Sequence, residues 1–135
     1  MALQFSTAVR NARLDTIEST TGATAILRIR SGAVPATPAT ADAGTVLATI
    51  TLPADWMAAA ASASKAMSGT WTDSSADAAG TAGHFRIYDS AGTTCHIQGT
   101  ITATGGGGDM TLDNTVFAVG QSFTITSFTI NEANG

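Results

Sequence analysis

The chain has very little with which to do covalent or metal chemistry. Among its 135 residues there is one cysteine, Cys95, and there are two histidines, His84 and His96. One cysteine excludes an internal disulfide, so the fold must rest on packing and the cytoplasm is a permitted place of synthesis. Charge is equally scarce, at 12% of residues, about half the usual share. The six basic residues, Arg10, Arg13, Arg28, Arg30, Lys65 and Arg86, form no run, and the net charge is −4. That leaves no electrostatic footprint for nucleic acid. No stretch is apolar enough for a transmembrane helix. The opening residues have no apolar run before their arginines, unlike a secretory signal.

In place of charge the chain uses alanine, threonine, serine and glycine. Its length suits one domain over 1–135, with enough chain to bury an ordinary core. Residues 6–20 read as a short amphipathic helix capped by Ser6 or Thr7 and stopped by Gly22. Val9, Arg13 and Ile17, with Ala8, Ala12 and Leu14, make its expected buried stripe. From 23 to 131 the period changes to two, as expected of a β-sandwich. "TAILRIRSG" sets Ala25, Leu27 and Ile29 on one face. The loop 31–44 follows, then a strand 45–53 with Val46, Ala48, Ile50 and Leu52 together. Residues 54–67 read as helical or irregular, anchored by Trp56 and Met57, and a short strand lies around Trp71. Four β runs follow, at 84–89, 93–104, 109–112 and 121–131. "GGGG", 105–108, is either a flexible hairpin tip or a close backbone approach. In "SFTITSFTI" a bulge near Ser127 would turn Phe123, Ile125, Phe128 and Ile130 all inward. A strand buried on both faces is the alternative. The fold class is mainly β: an antiparallel β-sandwich or jelly roll with a short N-terminal α-helix.

The chemistry concentrates in "GHFRIYDSAGTTCHIQGT", which holds Cys95 and both histidines. Setting its apolar residues on one face pairs Ile87 with Cys95 and Phe85 with Ile97. A loop Ser90-Ala91-Gly92 remains, with Gly92 at the left-handed position. In that register Arg86 opposes His96 and His84 opposes Gln98. Cys95 goes into the core as a small hydrophobe, and His84, Arg86, Tyr88, Thr94, His96 and Gln98 form a polar outer face. The cysteine is then on the wrong face to use either histidine as a base, and two histidines are too few for structural zinc without a symmetry partner. Asp109 and Asp113 could offer oxygens, but their spacing matches no calcium loop. The remaining aspartates read as turn residues. No catalytic, cofactor or metal residues are therefore assigned, and an enzyme is not expected.

Three stretches, "ALQFSTAVRNARLDTIE", "GTVLATITLPADWMAAA" and "GTAGHFRIYDSAGTTCHIQGTITATGGGGDM", resemble small structural proteins of tailed bacteriophages over nearly the whole chain. The resemblance implies a virion protein made in the bacterial cytoplasm, similar to cement or decoration proteins that clamp capsid subunits. Its implied partners are the major capsid protein or other virion proteins, and copies of itself. A tail or neck module, structural or receptor-binding, is the alternative. The candidate interface residues are Leu3, Phe5, Val9 and Ile17 at the helix, and Arg86, Tyr88 and His96 on the hairpin. The alternative is that the helix simply packs over one open sheet.

Overall fold

A computed structural model describes residues 3–132. Helix α1 spans Thr7–Thr21. Ser6 caps it by accepting from the Val9 N–H at 3.3 Å, and the Gly22 N–H closes its end on the Glu18 carbonyl. Ten strands follow: β1 (Ile26–Ser31), β2 (Val46–Thr51), β3 (Ser64–Ala66), β4 (Trp71–Asp73), β5 (Gly80–Tyr88), β6 (Cys95–Ala103), β7 (Met110–Leu112), β8 (Val116–Phe117), β9 (Phe123–Ile125) and β10 (Thr129–Asn131). The protein is mainly β with one N-terminal helix, as the sequence leads one to expect.

The main sheet runs β2-β1-β5-β6-β7, and β8 pairs with β5 off that path. Its inner face carries Leu27, Ile29, Ala48, Ile50, Phe85 and Ile87, all buried. Two ribbons, β3–β10 and β4–β9, contribute to the same core. The meeting point is aromatic: Phe128 packs on Trp71 at 5.7 Å and edge-on to Phe85 at 5.5 Å, and Trp56 leans on Trp71 at 6.1 Å. The segment before β3 is irregular, with Trp56 and Met57 buried as anchors.

Three expectations need correction. The run 121–131 is two strands, not one bulged strand: β9 pairs with β4, and β10 with β3. The break between them lets Ile125 and Phe128 both bury. The sheet is not wholly antiparallel, because β7 runs parallel to β6 in register Ile101 with Met110. The glycine run makes this possible. A Cβ on Gly106 or Gly108 would come within 2.7 or 2.9 Å of Thr102, so the backbone folds back against β6 where no side chain fits. "GGGG" is thus a close backbone approach and not a free tip. Finally, the β5–β6 register differs by two. Ile87 faces Ile97, Phe85 faces Gly99, Arg86 faces Gln98, and His84 faces Thr100. The Asp89 carboxylate accepts the N–H groups of Thr93 and Thr94, which widens the turn. Gly92 still supplies the left-handed residue, at φ 71°.

Candidate functional site

Beyond Ile97 the β6 strand shifts, so that Cys95 lies opposite Tyr88. This overturns the core placement of Cys95. It is half-buried on the far face of the sheet, where burial pushes its thiol up against the opposing influence of Arg86. A thiol held protonated in this way is a poor nucleophile. Among the described residues no group of three or more His, Cys, Asp or Glu could hold a metal ion.

The polar face of β1 and β5 is not a surface. His84, Arg86 and Tyr88 were expected to be solvated or to meet a partner, and all three are buried, as is Arg30. The covering element is the loop 32–44, which crosses the sheet as a strap. Its base is closed by the Ser31 N–H on the Thr45 carbonyl and the Thr45 N–H on the Ser31 hydroxyl. Its backbone carbonyls point at the sheet and are taken up by side chains. Arg86 donates to the carbonyls of Thr37, Pro38 and Thr40, Gln98 to Pro35, and His84 Nδ1 to Gly32. A loop without secondary structure can be laid on a sheet only if its carbonyls find donors, and arginine presents several in one plane.

Asp42 is the strap's one charged contact with this face. Its Oδ1 accepts from Arg86 and from the Tyr88 hydroxyl, and its Oδ2 from Arg30 at 3.0 Å. Burial opposes the charge, but the Tyr88 and Arg86 hydrogen bonds and the two guanidiniums hold this carboxyl below its ordinary range. Burial and the Asp42 bond push the Tyr88 hydroxyl up. Arg28 lies 4.7 Å over the Tyr88 ring and donates to the Gly92 carbonyl, tying the strap's neighbourhood to the β5–β6 turn.

The helix is docked differently from the expected apolar stripe. Only Leu14 and Thr21 are buried on it. Asn11, Asp15 and Glu18 share that face at helical spacing. Each accepts a backbone N–H from the irregular segment: Ala63 at 2.8 Å, Ala60 at 2.9 Å and Met57 at 3.2 Å. Beneath them the Lys65 ammonium, 2% exposed, meets Asp15 at 2.8 Å, Glu18 at 3.2 Å and the Ala58 carbonyl at 2.9 Å. All three of its protons are used. Burial disfavours the cation, yet the bonds from Asp15 and Glu18 raise its pKa, and the Lys65 bond holds Asp15 low. Arg10 and Arg13 anchor the first half of the helix to Glu132.

The remaining candidates lie before the helix, on its outer face and around a cleft beside it. Leu3 is 75% and Val9 43% exposed, while Phe5 sits under the Arg13 guanidinium at 5.1 Å. Ile17 and His96, both half-buried, line an open cleft of about 870 Å³ between the second half of α1, the start of β6 and β10. Phe85, Ile97, Phe128 and Ile130 give it an apolar floor. Of the seven candidate interface residues, five therefore face solvent or this cleft, and Arg86 and Tyr88 belong to the interior. The strap cluster and the Lys65 cluster escape a reading by periodicity. The strap cluster's one legible signal is a basic residue at alternating positions, in "LRIR" and "HFRIY", and the Lys65 cluster has none. Comparison with protein-family models, with curated proteins and with solved structures yields no match.

Proposed function

We propose that the chain is a structural component of a tailed-phage particle, a cement or decoration protein that binds at the junctions of shell subunits. The observation that carries this reading is the pair Leu3 and Val9, held in solvent at the start of α1 on a surface poor in charge. An apolar arm beside a rigid helix suits the capture of a neighbouring subunit. The buried ionic groups support the reading as well. Lys65, Arg86 and Asp42 hold the helix and the strap in place, so the fold's charged chemistry serves rigidity. No helix among the described residues is long and apolar enough to cross a membrane.

A protein that binds the assembled shell but not free subunits stabilises the shell by mass action. Particles made without it should lose heat resistance and release genome at lower temperature than complete particles. Equal melting and equal genome retention would refute the cement role. Quantitative mass spectrometry of purified particles separates the two placements: hundreds of copies fit the shell, and a handful fit a tail or neck module.

A further inference from the structure

We propose that the basic face beneath the strap is a binding site for an extended acidic segment of a partner protein, and that the strap is its internal stand-in, lifted when such a segment competes. This rests on the reading of the protein as an assembly component and names the chemistry of its partner. The site already holds a peptide. Arg30, Arg86 and Tyr88 converge on one carboxylate, that of Asp42. Arg86 and Gln98 take the carbonyls of Pro35, Thr37, Pro38 and Thr40 on the way to it. Donors that read carbonyls and a carboxylate together read a run of chain, not an isolated ion.

The strap does not satisfy what it covers. Two buried guanidiniums meet one carboxylate, which leaves one positive charge over, and Arg28 above the Tyr88 ring adds a second beside it. The Arg30 Nε is buried with no hydrogen-bond partner among the described residues. Unmet donors and unmet charge are costly where water is excluded. A segment with more than one carboxylate supplies what Asp42 alone does not. The Asp42 side chain, 40% exposed, marks where a competing carboxylate enters. The strap itself is held by little else. Of residues 32–44 only Pro35 is buried and Val34 half-buried, and none lies in a helix or strand. It begins and ends on left-handed glycines, Gly32 at φ 82° and Gly44 at φ 74°. Lifting it exposes little apolar surface, the condition for local opening at a lower cost than global unfolding. The apolar residues of β1 and β5 lie on the other face of the sheet and keep their packing.

The test is an NMR titration of the Asp42→Asn chain, which keeps the strap's shape and removes its charge. The probe is a peptide of residues 33–43 carrying Ala41→Asp and Ala43→Asp. The control is the same stretch with Asp42→Asn and no added acid. The acidic peptide should shift the Arg30 and Arg86 Nε–H and the Tyr88 ring resonances. It should bind the Asp42→Asn chain about tenfold more tightly than wild type, whose own carboxylate must first be displaced. The control should shift none of them. If Asp42→Asn fails to fold, the wild-type chain decides. Acidic peptide at millimolar concentration, comparable to that of a tethered segment, should shift the same resonances and leave the amides of Ala36 and Ala39 mobile. Absence of shifts, equal affinity for the two chains, or equal binding of the control overturns the proposal. So do the same shifts from inorganic phosphate at equal concentration and ionic strength, which would make this a site for free oxyanions. Peptide binding by a protein whose loss leaves particles unweakened refutes the cement reading alone. A protein that strengthens particles yet ignores the peptide refutes the acidic-segment site alone.

Discussion

The helix and the strap are both held to the β core by buried cations, but the two docks handle leftover charge in opposite ways. Lys65 faces two carboxylates that reach water: the Asp15 side chain is 47% exposed and that of Glu18 18%. Asp42 faces two guanidiniums that do not, at 8% for Arg30 and 2% for Arg86. One dock therefore carries surplus negative charge at its rim, and the other surplus positive charge underneath. Only in the second is the leftover charge itself buried, although Asp42, at 40% exposed, opens that dock to water on one side.

That difference ranks the substitutions. The largest effect should come from Asp42→Ala, which leaves Arg30 and Arg86 buried without a carboxylate. The guanidiniums are buried but the Asp42 side chain is 40% exposed, so the cost falls at the low end for a buried pair, about 3 kcal/mol, read as a lower urea midpoint together with early proteolytic cleavage within 32–44. Next is Lys65→Met, which fills the same space and leaves two carboxylates that can hydrate. A loss of about 1–3 kcal/mol is expected. If Lys65→Met proves worse than Asp42→Ala, the account of leftover charge is wrong. Asp15→Asn should be milder still, because Glu18 still pairs with the ammonium and the amide oxygen still accepts from Ala60.

The smallest effect is a dependence on pH. Asp42 and Asp15 both titrate lower in the folded chain, so the unfolded chain binds more protons around their ordinary value of 3.8. Stability from both docks is present above that pH and is lost as pH falls through the folded values. Asp42→Asn should flatten this acid limb more than Asp15→Asn does. Lys65 and Tyr88 titrate higher when folded, so their contribution is complete below about 10 and is lost only as pH rises beyond it. An acid limb unchanged in Asp42→Asn would show that the strap is not held by its carboxylate.

Much of the frame was legible in the chain itself. Ser6 and Gly22 mark the helix to within a residue, and the alternation through Leu27 and Ile29 gives the first strand and its buried face. What escaped were contacts between side chains and a distant backbone, which leave no period in the sequence. The helix stripe of Val9 and Ile17 looked like its buried face because apolar periodicity was the only available measure. The real face, with Asn11, Asp15 and Glu18, docks by accepting N–H groups from residues 57–63. The outward reading of Arg86 and Tyr88 failed for the same reason: nothing local in "SGAVPATPATADAG" says that its carbonyls will cover a sheet. The hairpin register slipped because one carboxylate, Asp89, widened a turn that glycine placement alone makes tight.

The backward turn at Gly106 and Gly108 bears on how the chain folds. It joins two parallel neighbours whose paired residues, Ile101 and Met110, are nine positions apart. Other pairings are distant: Ile26 waits for Tyr88, and Lys65 for Ile130, although β1 and β2 pair across the strap. The β5-β6-β7 unit can therefore assemble from nearby chain at small loop-closure cost, while the β1–β2 pair must find β5 and the ribbons must close across the chain. Folding should nucleate in the C-terminal half and finish on the timescale of milliseconds to seconds common to β proteins rich in non-local contacts.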